Sequence, residues 1–143
     1  ADIMKWKLMR GKFRPLQKLV DSNSEESVKL CTGKALDVLC NADNDKFNDW
    51  KAALKQLISL KGIGVATASI ILAVFSPAQC PFMSDEVIES IHDGKLDYTN
   101  SVYLSLQSKL EDKMEILNKN KILWDVEMMG KALWTTAILH LQK

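Results

Sequence analysis

Gly62 and Gly64 bracket Ile63 in the run Leu57–Glu89, LISLKGIGVATASIILAVFSPAQCPFMSDEVIE. Glycines one residue apart suit a tight turn that needs positive φ or the close approach of another backbone. Apolar helical runs lie on both sides, so residues 46–75 or thereabouts read as an αα-hairpin. Such a turn offers anion binding. The second helix opens at Val65-Ala66-Thr67-Ala68, and its first amides have no partner within the helix. With the turn amides they can face a phosphate, and Lys61 adds positive charge. A plainer reading is that the glycines shape a helix connection and nothing more. Backbone binding is preferred because Lys61 and the polar Thr67 accompany them.

The N-terminal segment is the next candidate. Residues 1–18 carry Lys5, Lys7, Arg10, Lys12, Arg14 and Lys18 against Asp2 alone, a net +5. Trp6 and Phe13 lie among them. A basic segment with interleaved aromatics can grip phosphates and stack on a base. The alternative is a solvated arm whose Trp6, Leu8 and Phe13 plug the core. Asp85 and Glu86 follow Ser84 at a helix start, where capping and the macrodipole favour them without any catalysis. Trp50, Trp124 and Trp134 are candidate walls of a base pocket, as are Tyr98 and Tyr103, but at helical spacing beside Leu and Met they read first as core. His92 and His140 are isolated and receive no role. Cys31, Cys40 and Cys80 show no ligand spacing, so no metal site is expected.

LKGIGVATASIIL resembles the helix-hairpin-helix of DNA-binding proteins, above all the version in the base-excision DNA glycosylase superfamily. That superfamily writes the turn Leu-Pro-Gly-Val-Gly, then two variable positions, then often Thr-Ala. Here the run is Leu60-Lys61-Gly62-Ile63-Gly64, Val65-Ala66, Thr67-Ala68. The family then places a catalytic aspartate at the start of the next helix, and Asp85 in Pro81-Phe82-Met83-Ser84-Asp85-Glu86-Val87 stands at a matching distance. The resemblance implies Asp85 as the catalytic carboxylate, with Glu86, pointing elsewhere on the helix, as second choice. A glycosylase flips a base out of the stack and cleaves its bond to the sugar. A carboxylate beside the sugar stabilises the developing oxocarbenium charge. Bifunctional members carry a nucleophilic lysine where this chain has Ala66, so Schiff-base chemistry there is excluded. The cysteines lie upstream of the C-terminal region where some members hold an iron–sulfur cluster, so neither that cluster nor any other cofactor is expected.

The elements that must position these residues read as helices throughout. The chain has 143 residues, 47% hydrophobic and 26% charged, which fits one globular domain over 1–143. A net charge of +1 counts modestly against nucleic-acid binding. The odd cysteine count points to free thiols in a reducing, intracellular setting, nuclear or cytoplasmic. The longest apolar run, Ile70–Phe75, is too short to span a bilayer. No signal-peptide pattern opens the chain, since Lys5, Lys7 and Arg10 break any apolar segment.

Pro15 fits the first turn of a short helix to about Ser22. Ser22 with Glu25, or Asn23 with Glu26, suits a capping box for the next, with Val28, Cys31, Ala35 and Leu39 inward. Further helices are expected at 46–59, 65–75, 85–91, 99–118 and 125–141. The expectation is an all-α domain of about seven helices containing a helix-hairpin-helix. Its DNA-binding residues would be Lys61, Gly62, Ile63, Gly64, Ala66 and Thr67, with Lys5, Lys7, Arg10, Lys12 and Arg14. The function expected is that of a DNA-binding protein resembling a monofunctional base-excision N-glycosylase, with duplex DNA as partner. The alternative is a non-catalytic module of the same fold that binds nucleic acid or a protein.

Overall fold

Helical periodicity in the sequence becomes helix in chain order: α1 (Asp2–Arg10), α2 (Gln17–Asp21), α3 (Glu25–Cys40), α4 (Asp49–Ile58), α5 (Val65–Phe75), α6 (Asp85–Ile91), α7 (Asn100–Asn118) and α8 (Val126–Leu141). The computed structural model describes residues 2–10, 15–40, 49–92, 95–119 and 123–141, and no strand occurs among them. The chain is all-α. It has eight helices among the described residues rather than about seven, because residues 2–10 form a helix of their own. The basic residues there had hidden its apolar side: Met4 is buried, and α1 packs on α5. Phe47, which helical spacing in the expected 46–59 helix sets with Trp50, Leu54, Leu57 and Ile58, lies outside the described residues.

Caps follow local chemistry. Ser84 accepts from the Val87 amide at 3.3 Å, and Thr99 accepts from the Val102 amide at 3.4 Å. Each satisfies one of the orphan donors of a first turn. At α3 the capping expectation fails. Ser24, not Ser22 or Asn23, accepts from the amide three residues on, that of Ser27 at 3.2 Å. Asn23 is left for another task, described below. Val28 also departs from its expected inward position and is exposed.

One hydrophobic cluster runs from Ala35 of α3 through Trp50, Leu54 and Leu57 of α4 to Leu72 of α5, Ile88 of α6, Leu106 and Leu110 of α7, and Val126 and Met129 of α8. Helix α5 lies at its centre. Ala66, Thr67, Ala68, Ser69, Ile70 and Leu72 are all buried, as a small and almost wholly apolar helix requires. Trp50 meets Tyr103 edge to face, with ring centroids 5.4 Å apart. Both are therefore core residues, and neither is a pocket wall.

The connection from α5 to α6 is short, and its backbone is held from inside. Tyr103 Oη donates to the Pro81 carbonyl at 3.0 Å, and Gln107 Nε2 donates to the Gln79 carbonyl at 3.1 Å. Ser69 Oγ accepts from the Met83 amide at 3.1 Å while donating to the Ala66 carbonyl at 2.9 Å. Three buried side chains thus pair backbone groups of this connection. Their effect is to fix where α6 begins.

Burial pushes the Cys80 thiol up from its ordinary 9.0 to about 12. Burial, and then the charge a Cys80 thiolate would carry, raise the Tyr103 phenol as well. The raised thiol stabilises the fold in full below about 9. As pH climbs from there toward about 12, the unfolded chain sheds this proton and the folded chain keeps it, so stability is lost across that window. Urea midpoints are expected to fall through this range, and Cys80→Ala should make the fall shallower. Equal slopes for the two proteins would contradict the assignment.

Candidate nucleic-acid interface and carboxylate cavity

The hairpin turn is built around one left-handed residue. Gly62 has φ +76°, a conformation that L side chains rarely adopt. It is also a close-approach site: a Cβ there would stand 2.8 Å from Val20 Cγ2 and 3.2 Å from the Val20 amide nitrogen. The side of the turn facing α2 is therefore occupied. Asn23 completes the attachment. Its Oδ1 accepts from the Lys61 amide at 2.9 Å, and its Nδ2 donates to the Lys61 carbonyl at 2.9 Å and to the Val20 carbonyl at 2.8 Å. Sequence reasoning assigned Asn23 to helix capping and missed this clasp, because its partner lies far along the chain.

Gly64 differs from Gly62. Its φ of −95° and ψ of 177° are open to any residue, and a Cβ there would meet nothing within 4 Å. The fold does not require glycine at this point. Gly64 is exposed, and it is the N-cap of α5 without a side chain to cover the first turn. The first intrahelical donors are Thr67 and Ala68, both to the Gly64 carbonyl, at 3.0 and 2.9 Å. The amides of Gly64, Val65 and Ala66 make no hydrogen bond among the described residues.

The residues that carry those amides line a cavity of about 430 Å³. Gly62, Gly64, Val65, Ala66 and Thr67 line one side of it. Ser84, Asp85 and Glu86, at the start of α6, line another. Trp6 and Lys7 of α1, Phe82, Tyr98 and Trp134 also line it. Of the tryptophans proposed for a base pocket, only Trp134 reaches this cavity; Trp124 packs against the core. Trp6 stands 6.3 Å from Phe82, centroid to centroid, and is partly exposed.

Asp85 is not consumed by capping, because Ser84 takes that role. Its Oδ1 accepts from Tyr98 Oη at 2.7 Å. Its Oδ2 has no hydrogen-bond partner among the described residues, and the side chain is exposed. Glu86, expected to point elsewhere, borders the same cavity. Both leading residues of α6 therefore line the cavity. Tyr98 was foreseen only as an ambiguous aromatic. No spacing rule could have paired it with Asp85 across the α6–α7 connection.

The basic residues divide. Lys7 Nζ donates to Thr67 Oγ1 at 2.8 Å, which brings an ammonium to the first turn of α5. Thr67 is itself buried, so its hydroxyl serves Lys7 and does not lie open to a strand. Lys61 is exposed beside the turn, and Ile63 packs partly against the core. Lys5 faces Asp2 at 3.9 Å on the surface. The Arg10 side chain, Lys12 and Arg14 lie outside the described residues. No cluster of three His, Cys, Asp or Glu residues able to hold a metal occurs among the described residues, and no helix there is long and apolar enough to cross a membrane.

Comparison with protein-family models, with characterised sequences and with solved structures found no match. The site is therefore read from its own geometry.

The two glycines should respond differently to the same change. Gly62→Ala forces a Cβ onto Val20 in a left-handed conformation and should destabilise the protein by roughly 1–3 kcal/mol. Gly64→Ala should stay within about 0.5 kcal/mol of the parent. Urea denaturation of both variants checks the contrast, and equal losses would contradict it.

Proposed function

We propose that this chain is a DNA-binding helix-hairpin-helix protein that acts as a monofunctional base-excision N-glycosylase. One observation carries the reading: Asp85 lines the same cavity as Gly64, Val65 and Ala66, whose amides make no hydrogen bond among the described residues. A phosphate held at Gly64–Ala66 would bring the adjoining sugar toward α6. Phosphate contacts of this kind position a strand without reading its sequence. Lys7 and Lys61 add positive charge near that point. A volume of about 430 Å³ is in the range of ligand pockets and accommodates an unstacked base.

Asp85 then works through its unengaged Oδ2. As the bond between base and sugar breaks, positive charge grows on the sugar ring, and a carboxylate beside it lowers the barrier. Tyr98 restrains the other oxygen, which limits the reorganisation needed at the moment of reaction. With Ala66 in place of the family's lysine, water and not an amine resolves the intermediate, so strand cleavage does not follow.

A second reading is a non-catalytic module that binds nucleic acid or a protein, and the net charge of only +1 favours its protein-binding form. The two separate on one pair of measurements. Lys61→Glu and Gly64→Glu should each weaken salt-dependent duplex binding by about tenfold with the fold intact. Asp85→Asn should bind duplex as the parent does but release free base from lesion-bearing duplex at least about a hundredfold more slowly. Duplex binding without base release across a broad lesion panel would leave the non-catalytic reading.

A further inference from the structure

Beside the cavity lies a groove of about 370 Å³ between α5 and α8. The two share Trp6, Phe82, Ser84 and Trp134, so they form joined compartments. They differ in character. The cavity is bounded by Lys7, Asp85 and Glu86, whereas the groove is walled mainly by Ile70, Ala73, Val74, Val87 and Val126. Its two charged residues, Glu127 and Lys131, engage each other at 2.6 Å. The groove therefore presents no net charge to an occupant. A polar or charged group entering it would lose hydration without compensation, while an apolar group would gain by leaving water.

We infer that the groove binds an apolar substituent carried by the base in the adjoining cavity, so that the preferred substrate class is a nucleobase enlarged by a hydrophobic exocyclic group. This rests on the base-excision reading above. The shared aromatic walls, Trp6, Phe82 and Trp134, stand where ring and substituent would meet. Gly130 supplies a means of closing the groove alone. It lines the groove from α8, and a Cβ there meets nothing within 4 Å, so a larger side chain grows into the open space and not into the core.

The test is calorimetric titration of the full chain, parent and Gly130→Leu, with adenine and with its exocyclic N-benzyl derivative. The parent should bind the benzyl derivative at least about tenfold more tightly than adenine. Gly130→Leu should abolish that preference and leave adenine binding unchanged. Equal affinity of the parent for the two compounds, or a preference that survives Gly130→Leu, overturns the groove assignment and leaves the base-excision reading standing. Failure of either compound to bind the parent overturns the groove assignment, and base release from lesion-bearing duplex then decides the wider reading separately.

Discussion

A single buried hydroxyl, that of Ser69, ties the start of α5 to the segment that leads into α6. It sits one turn into α5, bonded to the Ala66 carbonyl, and it receives the amide of Met83 from the segment leading into α6. Through it the helix that starts at the hairpin and the helix that starts at Asp85 share one fixed point. Removing the hydroxyl would leave a buried amide unpaired at a cost of about 1–3 kcal/mol. The cavity exists because those two helix starts are held at a set separation, with α1 and Trp134 closing the sides.

The hairpin itself is held from the opposite side. Gly62 and the Asn23 clasp fasten the turn to α2, using one amide and one carbonyl of Lys61. This divides the turn into a structural half and an open half. Gly62 belongs to the first by its dihedral angle and its contact with Val20. Gly64 belongs to the second, since nothing in its backbone or surroundings demands glycine. Its lack of a side chain leaves the first turn of α5 without a side-chain cap.

Much of the fold was legible in the sequence because helical periodicity and capping are local. Residues 65–75, 85–91 and 100–118 fall within the helices that apolar spacing puts at 65–75, 85–91 and 99–118. Helix α1 was obscured because its buried face is little more than Met4 among basic residues. The candidate site was legible only in its parts. Gly62, Gly64 and Asp85 could be picked out by type and spacing, but what completes the site is non-local: Lys7 on Thr67, Tyr98 on Asp85, Asn23 on Lys61 and Ser69 on Met83. Such pairings arise from packing of distant elements, and no pattern along the chain encodes them. Trp50 is the reverse case: helical spacing reads it first as core, and its position on the inner face of α4 sets it edge to face against Tyr103.

The central claim is that the amides opening α5 receive an anionic strand on the rim of the Asp85 cavity. Backbone amide shifts recorded while a short duplex containing an abasic site is titrated into the protein test this most directly. The account predicts that the largest changes fall on Gly64, Val65 and Ala66, followed by the start of α6. Saturable binding that leaves those amides unmoved, with the changes on a surface remote from α5 and α6, would contradict it.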